Sequence, residues 1–226
     1  MEITTSHTEE NYIKAIFKLQ ALVKEAAVST NDIAERLSTQ PATVTDMIKR
    51  LADKKLVTYK KYYGVHLTSK GEKIALDIIR KHRLWEVFLV NKLKFKWDEV
   101  HDIAEQLEHI NSDELISKLD DFLGNPKVDP HGDVIPDKHG KMKHLKSVPL
   151  SSISKKQTCV FCGVANHETR FLQYLDTLNL NLGNTIQIQS INSFDSSYKV
   201  KINNKHSEFF SAQIASYILV ETDNGK

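Results

Sequence analysis

The run WDEVHDIAEQLEHINSDEL holds the residues with the most definite chemistry. Placed at about 100° per residue, Val100, Ile103, Ala104, Leu107 and Ile110 share one arc and form a core face. His101, Glu105, Glu108 and His109 occupy the neighbouring arc. Four candidate ligands then line one flank of a single helix, at the rim of a buried face where desolvation favours coordination. Earlier, in IIRKHRLWEVFLV, His82 and Glu86 stand one turn apart on a common face. Imidazole and carboxylate without thiolate suit Mn²⁺, Fe²⁺ or Zn²⁺, and an oxygen-rich set leans towards manganese. The plainer reading is a solvated acidic helix with incidental histidines. His82, Glu86 and His101, added to Glu105, Glu108 and His109, count against it.

Other elements must hold these side chains in place. Ser6 and Glu9 are spaced as a capping box ahead of an apolar pattern at Tyr12, Ile13, Ile16 and Phe17. Thr30 is positioned to cap a short helix, NDIAERLS. The chain turns through Thr39 and Gln40 into a second helix with Pro41 in its first turn. Two helices joined by so short a turn form the unit that reads DNA. VTYKKYYG and VHLTSKG follow as a β-hairpin, or wing. Val44, Ile48 and Leu51 face the core. That leaves Thr39, Gln40, Ala42, Thr43, Thr45, Asp46, Lys49 and Arg50, with Lys60, Lys61 and Tyr62 at the wing tip, for bases and phosphates.

Charge is segregated. Lys49 to Lys73 holds eight cationic residues against two acidic ones, whereas Asp98 to Asp121 holds nine acidic residues against Lys118 alone. One stretch suits phosphates and the other cations. Overall the 226 residues carry a net charge of only +2 and are 40% hydrophobic, enough for packed domains and against disorder. The start MEITTSHTEENY lacks a basic region followed by an apolar one, and no apolar run is long enough to span a bilayer. The expectation is a soluble cytoplasmic protein with no membrane partner.

Four of the five prolines fall between 124 and 149, marking a loop or linker in which His131, His139 and His144 are expected to be solvated. Beyond it, TCVFCGV, NTIQIQSI, SYKVKI, EFFSAQI and SYILVE have β composition, interrupted by one helix near 167–177. Cys159 and Cys162, the only cysteines, form a lone C-x-x-C within a strand, without a second pair at zinc-finger spacing. They are expected to be ordinary strand cysteines.

IAERLSTQPATVTDMIKRL, the wing with LTSKG, RKHRLWEVFL, VHDIAEQLEHINSDEL and DPHGDVIP together resemble the diphtheria toxin repressor and manganese transport regulator family of bacterial metal-dependent repressors. The resemblance covers nearly the whole chain. It implies a mainly α fold with a small all-β C-terminal domain: a winged helix-turn-helix over 1–73, a helical dimerisation and metal-binding domain over 74–124, a linker over 125–150 and an SH3-like, FeoA-type barrel over 151–226. It also implies homodimers that bind divalent metal and then palindromic double-stranded operators, repressing metal-uptake genes. Glu105, Glu108 and His109 match the family's primary metal site, with Glu105 standing where manganese-responsive members have glutamate and iron-responsive members cysteine. His82, Glu86 and His101 match an ancillary site, which the barrel would complete near His167 and Glu168. Asn11 takes the place of an N-terminal ligand that is Asp or Met in relatives. Asp129 stands where several relatives have cysteine, with a carboxylate able to restore the charge missing at Asn11. Lys14 replaces a glutamate of some two-metal manganese regulators.

The function expected from these residues is a manganese-responsive repressor that is not an enzyme. Iron is the alternative cofactor, and a metal-independent winged-helix regulator the alternative mechanism. A metallohydrolase would need a catalytic base motif or substrate-binding fold that the chain does not display. The apolar faces around Leu84, Phe88, Leu107, Ile110 and Leu115 are the expected dimer contacts.

Overall fold

The computed structural model describes residues 4–23, 27–143 and 146–222, which form two compact units. The first takes in the chain through His82, with Glu105–Ile116 and Pro136–Lys141. Its α1 (His7–Leu22) begins on the expected capping box, in which the Ser6 hydroxyl accepts from the Glu9 N–H and the Glu9 carboxylate accepts from the Ser6 N–H. The Glu9 carboxylate also lies 2.8 Å from Lys54 Nζ, joining the start of α1 to the residue that ends α3.

Helix α2 (Thr30–Arg36) is capped by Ser29, one residue before the expected Thr30. Helix α3 (Pro41–Asp53) has proline in its first turn and buries Val44, Ile48 and Leu51, as their spacing requires. Strands β1 (Val57–Lys60) and β2 (Gly64–Leu67) pair as the antiparallel wing. Gly64, at φ +107°, passes so close to Val28 that a Cβ would lie 2.8 Å from its carbonyl oxygen. Ile13, Ile16, Val28, Ile33, Ile48, Leu51 and Val65 fill the core beneath.

Helix α4 (Ser69–Asn91) runs through His82 and Glu86. The acidic run that follows is two helices rather than one: α5 (His101–Leu107) stops before Glu108 and His109, which lie in a turn, and α6 (Asp113–Phe122) restarts behind Ser112. The Ser112 hydroxyl accepts from the Leu115 N–H, so a preferred capping residue breaks the run. Leu84, expected at a dimer contact, is fully buried in its own chain.

The second unit comprises Arg83–Ala104, Ser117–Ile135 and the chain from Met142 onward. Its β3 (Val148–Pro149), β4 (Thr158–Val164), β5 (Thr185–Ile191), β6 (Tyr198–Ile202), β7 (His206–Phe210) and β8 (Ile218–Thr222) form one antiparallel sheet in the order β3-β8-β4-β5-β6-β7. Phe161, Ile186, Ile188, Val200, Phe210 and Val220 supply its core. The expected helix is present as α7 (Thr169–Thr177), but a second, α8 (Ala212–Tyr217), replaces the β structure expected across SAQIASY. The Ser211 hydroxyl accepts from the Ile214 N–H and starts that helix, overriding a β-type composition.

The proline-rich stretch is not an open tether. Asp129, His131 and Ile135 are buried, and Val128 bridges to Val134. At Gly132 (φ +90°) a Cβ would meet the Cys162 carbonyl oxygen at 2.1 Å, and the His131 carbonyl accepts from the Val164 N–H at 3.0 Å. His139 is exposed; His144 lies outside the described residues. In β4 the Cys159 thiol donates to the Ile186 carbonyl at 3.3 Å, and burial pushes both cysteine thiols up to about 11, as suits unreactive strand cysteines. Among the described residues, no helix is long and apolar enough to cross a membrane.

Candidate metal centre and nucleic-acid interface

One face of α1 meets the turn after α5 within the first unit. His7, Asn11 and Lys14 are spaced as one stripe along the helix. The His7 ring stacks on His109 at 4.5 Å between centroids, while Lys14 Nζ lies 2.5 Å from Glu108 Oε1 and 3.5 Å from Glu105 Oε1. Beside the stripe, Glu10 Oε2 is 2.5 Å from His109 Nδ1, which leaves His109 Nε2 towards Glu108 Oε1 at 3.9 Å. From α4, His82 Nδ1 reaches Glu108 Oε2 at 2.6 Å.

Glu108 is fully buried. Burial alone would raise its carboxyl, but the bond to His82 and the charge of Lys14 outweigh that and hold it below the ordinary glutamate value. Asn11 Oδ1 is buried with no hydrogen-bond partner. An orphaned amide oxygen on the stripe facing two glutamates and an imidazole fits a site for an oxygen-preferring cation.

Lys14 Nζ thus links Glu105 to Glu108, and His109 Nε2 faces Glu108, with Asn11 on the same stripe as Lys14, but Glu105, Glu108 and His109 do not all offer ligand atoms within 4.8 Å of one another. His82 Nδ1 is bound to Glu108. The sequence HTEENYIK displays His7 and Glu10 without marking either; only the pairing of α1 with the α5 turn gives them a role.

A second cluster lies within the second unit. Glu86 Oε1 is 3.7 Å from His101 Nδ1, and Glu86 Oε2 is 3.7 Å from His131 Nδ1. Asp129 Oδ1 is 3.8 Å from the same His131 nitrogen, and Glu86, Asp129 and His131 each offer one ligand atom within 4.8 Å of the others. His131 Nε2 lies 2.9 Å from the Trp97 carbonyl, and donating to it leaves Nδ1 to face the carboxylates. Asp129 is fixed by the N–H groups of His131 and Asp133, at 2.8 and 3.0 Å, with Arg83 Nε 3.6 Å away. The His167 ring is 5.0 Å from that of His131.

Two expectations change here. Asp129 joins Glu86 and His131 instead of making up for Asn11. His131, expected to be solvated, is buried at the centre of the cluster. Glu168 is exposed at the start of α7 and lies outside the gathered groups.

The opposite chemistry lies on α3 and the wing. Gln40, Ala42, Thr43, Asp46, Lys49 and Arg50 are exposed, as are Lys60, Lys61 and Tyr62. Thr39 and Thr45 are half-buried and engaged, Thr39 with the Tyr12 hydroxyl and Thr45 with the Pro41 carbonyl. Lys49 pairs with Asp46 at 3.3 Å. At the wing tip, Lys60 Nζ lies 4.1 Å above the Tyr63 ring and Lys61 Nζ 5.0 Å above that of Tyr62.

Comparison with known proteins gives this arrangement a lineage. Residues 4–65 match the family model of the iron dependent repressor N-terminal DNA binding domain, 68–137 that of the iron dependent repressor metal binding and dimerisation domain, and 148–222 the FeoA domain. The iron-dependent repressor IdeR of Mycobacterium leprae is 34% identical over 130 residues, covering 57% of this chain and 55% of that protein. The chain therefore matches little more than half the length of that relative. The HTH-type transcriptional regulator MntR of Bacillus velezensis is 31% identical over 144 residues, 64% of this chain and 93% of that one. A solved manganese-dependent transcriptional repressor in complex with manganese superposes with a TM-score of 0.81 at 32% identity, covering 95% of this chain and 99% of that chain. With its winged helix, metal-binding and dimerisation region and FeoA domain all matched, the chain belongs to the diphtheria toxin repressor and manganese transport regulator family, whose members are metal-dependent DNA-binding repressors and not enzymes.

Proposed function

We propose that the protein is a Mn²⁺-responsive repressor that acts as a homodimer on a palindromic operator controlling metal-uptake genes. The observation that carries this reading is the meeting of α1, part of the winged-helix unit, with Glu105, Glu108 and His109. Asn11 Oδ1 is left buried and unpaired on that helix. A divalent cation bound there would cross-link α1 to the α5 turn. Glu105 and Glu108 supply the charge, His109 Nε2 and Asn11 Oδ1 the neutral donors, and Glu10 orients the His109 ring. Glu86, Asp129 and His131, with His101 and His167 alongside, form a second candidate site. α3 and the wing present the polar and basic side chains to DNA.

Both clusters lack thiolate, which favours manganese over softer metals; the iron-dependent relative keeps Fe²⁺ as the second reading. The test is fluorescence anisotropy on duplexes from the region upstream of its own gene, with Mn²⁺ or Fe²⁺ added to metal-free protein. Mn²⁺ should raise operator affinity about 100-fold, a coupling of about 2.7 kcal/mol. Glu108→Ala should abolish that response and leave weak, salt-sensitive binding to any duplex. A normal Mn²⁺ response in Glu108→Ala would overturn the assignment of this cluster, and a response to Fe²⁺ alone would replace manganese by iron.

A further inference from the structure

We propose that Lys14 is a built-in counter-ion: its ammonium holds Glu108 in the metal-free protein and must be displaced by an incoming divalent cation, so that Lys14 sets the concentration at which the site loads. This rests on the reading of Glu105, Glu108 and His109 as ligands.

Lysine ordinarily keeps its ammonium in water while its stem lies along the surface. The Lys14 side chain is only 8% exposed, and its ammonium contacts two carboxylates, at 2.5 Å and 3.5 Å. A buried ammonium is tolerated only when paired, so these carboxylates hold it inward. The start of the helix that carries it is fixed by the capping box and by the Glu9 contact with Lys54.

Both oxygens of Glu108 are thereby engaged, Oε1 by Lys14 and Oε2 by His82. A cation ligated by Glu108 Oε1 would take over the position that the ammonium now approaches, and two positive charges on one buried oxygen repel each other. Loading is therefore an exchange in which Glu108 gives up Lys14. The competitor is the same for every divalent ion. It shifts the threshold for all of them by a common factor and pushes weak binders out of range first.

The experiment is titration calorimetry of Mn²⁺ into the metal-free full-length protein, comparing wild type with Lys14→Gln, Lys14→Met and Glu108→Ala. Glu108→Ala identifies which metal equivalent belongs to this cluster by losing it. At that equivalent, both Lys14 variants should bind Mn²⁺ tighter by about tenfold or more, the scale of one buried charge contact. Unchanged or weaker binding overturns the role of Lys14 while leaving the site intact. Loss of no equivalent in Glu108→Ala overturns the site reading itself.

Should the Lys14 variants fail to fold, the wild-type chain carries the test through acetic anhydride labelling read by mass spectrometry. Lys81, with a side chain 9% exposed and 2.6 Å from Asp77, is the internal reference. Mn²⁺ should raise the labelling of Lys14 several-fold relative to Lys81, and an unchanged ratio would refute displacement.

Discussion

His131 uses its two ring nitrogens differently, one anchored on the Trp97 carbonyl and the other facing Glu86 and Asp129. Burial would lower its pKa, but the bond and charge of Glu86 and the charge of Asp129 overcome this and push it up to about 9. The neighbouring Asp129 carboxyl is likewise raised, by burial and by the charges of Asp133 and Glu86. Both groups bind protons more tightly folded than unfolded. Their contribution to metal-free stability is full below the unfolded value of each and is lost as pH rises; for His131 the window runs from about 6.5 to about 9. In chelator-treated protein the melting temperature should therefore fall between pH 7 and 9, and His131→Gln should flatten that decline. A variant that declines as steeply as wild type would remove His131 as its source. Ligation requires a neutral imidazole and ionised carboxylates, so Mn²⁺ uptake at this cluster should strengthen over the same range.

At the scale of elements, the sequence makes plain whatever depends on local pattern. The Ser6–Glu9 capping box, the Val44, Ile48 and Leu51 face of α3, the wing and five of the six sheet strands all follow from periods and caps a few residues long. The acidic helix misleads because its periodicity continues through a break that only Ser112 marks, and because Glu108 and His109 take their orientation from α1, more than 90 residues earlier. Proline and glycine around His131 signal a loop, and loops usually lie at the surface, so local pattern points this ring to solvent. Its burial depends on the close approach of Gly132 to β4, a contact with no local signal. The wing, by contrast, supports a prediction from sequence and structure alike. Lys60 and Lys61 are exposed on a short hairpin, each over a tyrosine ring. Each phosphate contact contributes about 0.9 to the slope of log affinity against log salt. Reversing both lysines to glutamate should flatten that slope by about 2 and weaken operator and random duplexes alike. A loss confined to the operator would show instead that the wing reads bases.

At the scale of the whole molecule, one recognition helix reads only a few base pairs, so a palindromic operator demands two copies about one helical turn of DNA apart. The single chain displays apolar surface suited to such pairing. On α6, Ile116 and Leu119 turn inward, whereas Leu115 and Phe122, seven residues apart on one stripe, remain 40% and 62% exposed. Phe122 lies 6.4 Å from Phe88 between ring centroids, and Lys92 Nζ sits 4.8 Å over its ring. A stable homodimer buries about 800 Å² from each partner with an aromatic anchor near its centre, and a charge placed at that centre is left desolvated and unpaired. Leu115→Glu with Phe122→Glu should therefore yield monomers in sedimentation at micromolar concentration, whereas wild type should sediment as a dimer. The exposed positions of both residues predict that each monomer stays folded and still loses one Mn²⁺ equivalent when Glu108→Ala is added. Operator affinity should fall to the level of nonspecific binding, because each half-site is then held by one helix alone. A doubly substituted protein that remains dimeric would place the two-fold contact on another surface, and a wild-type monomer that binds the operator tightly would remove the dimer from the mechanism.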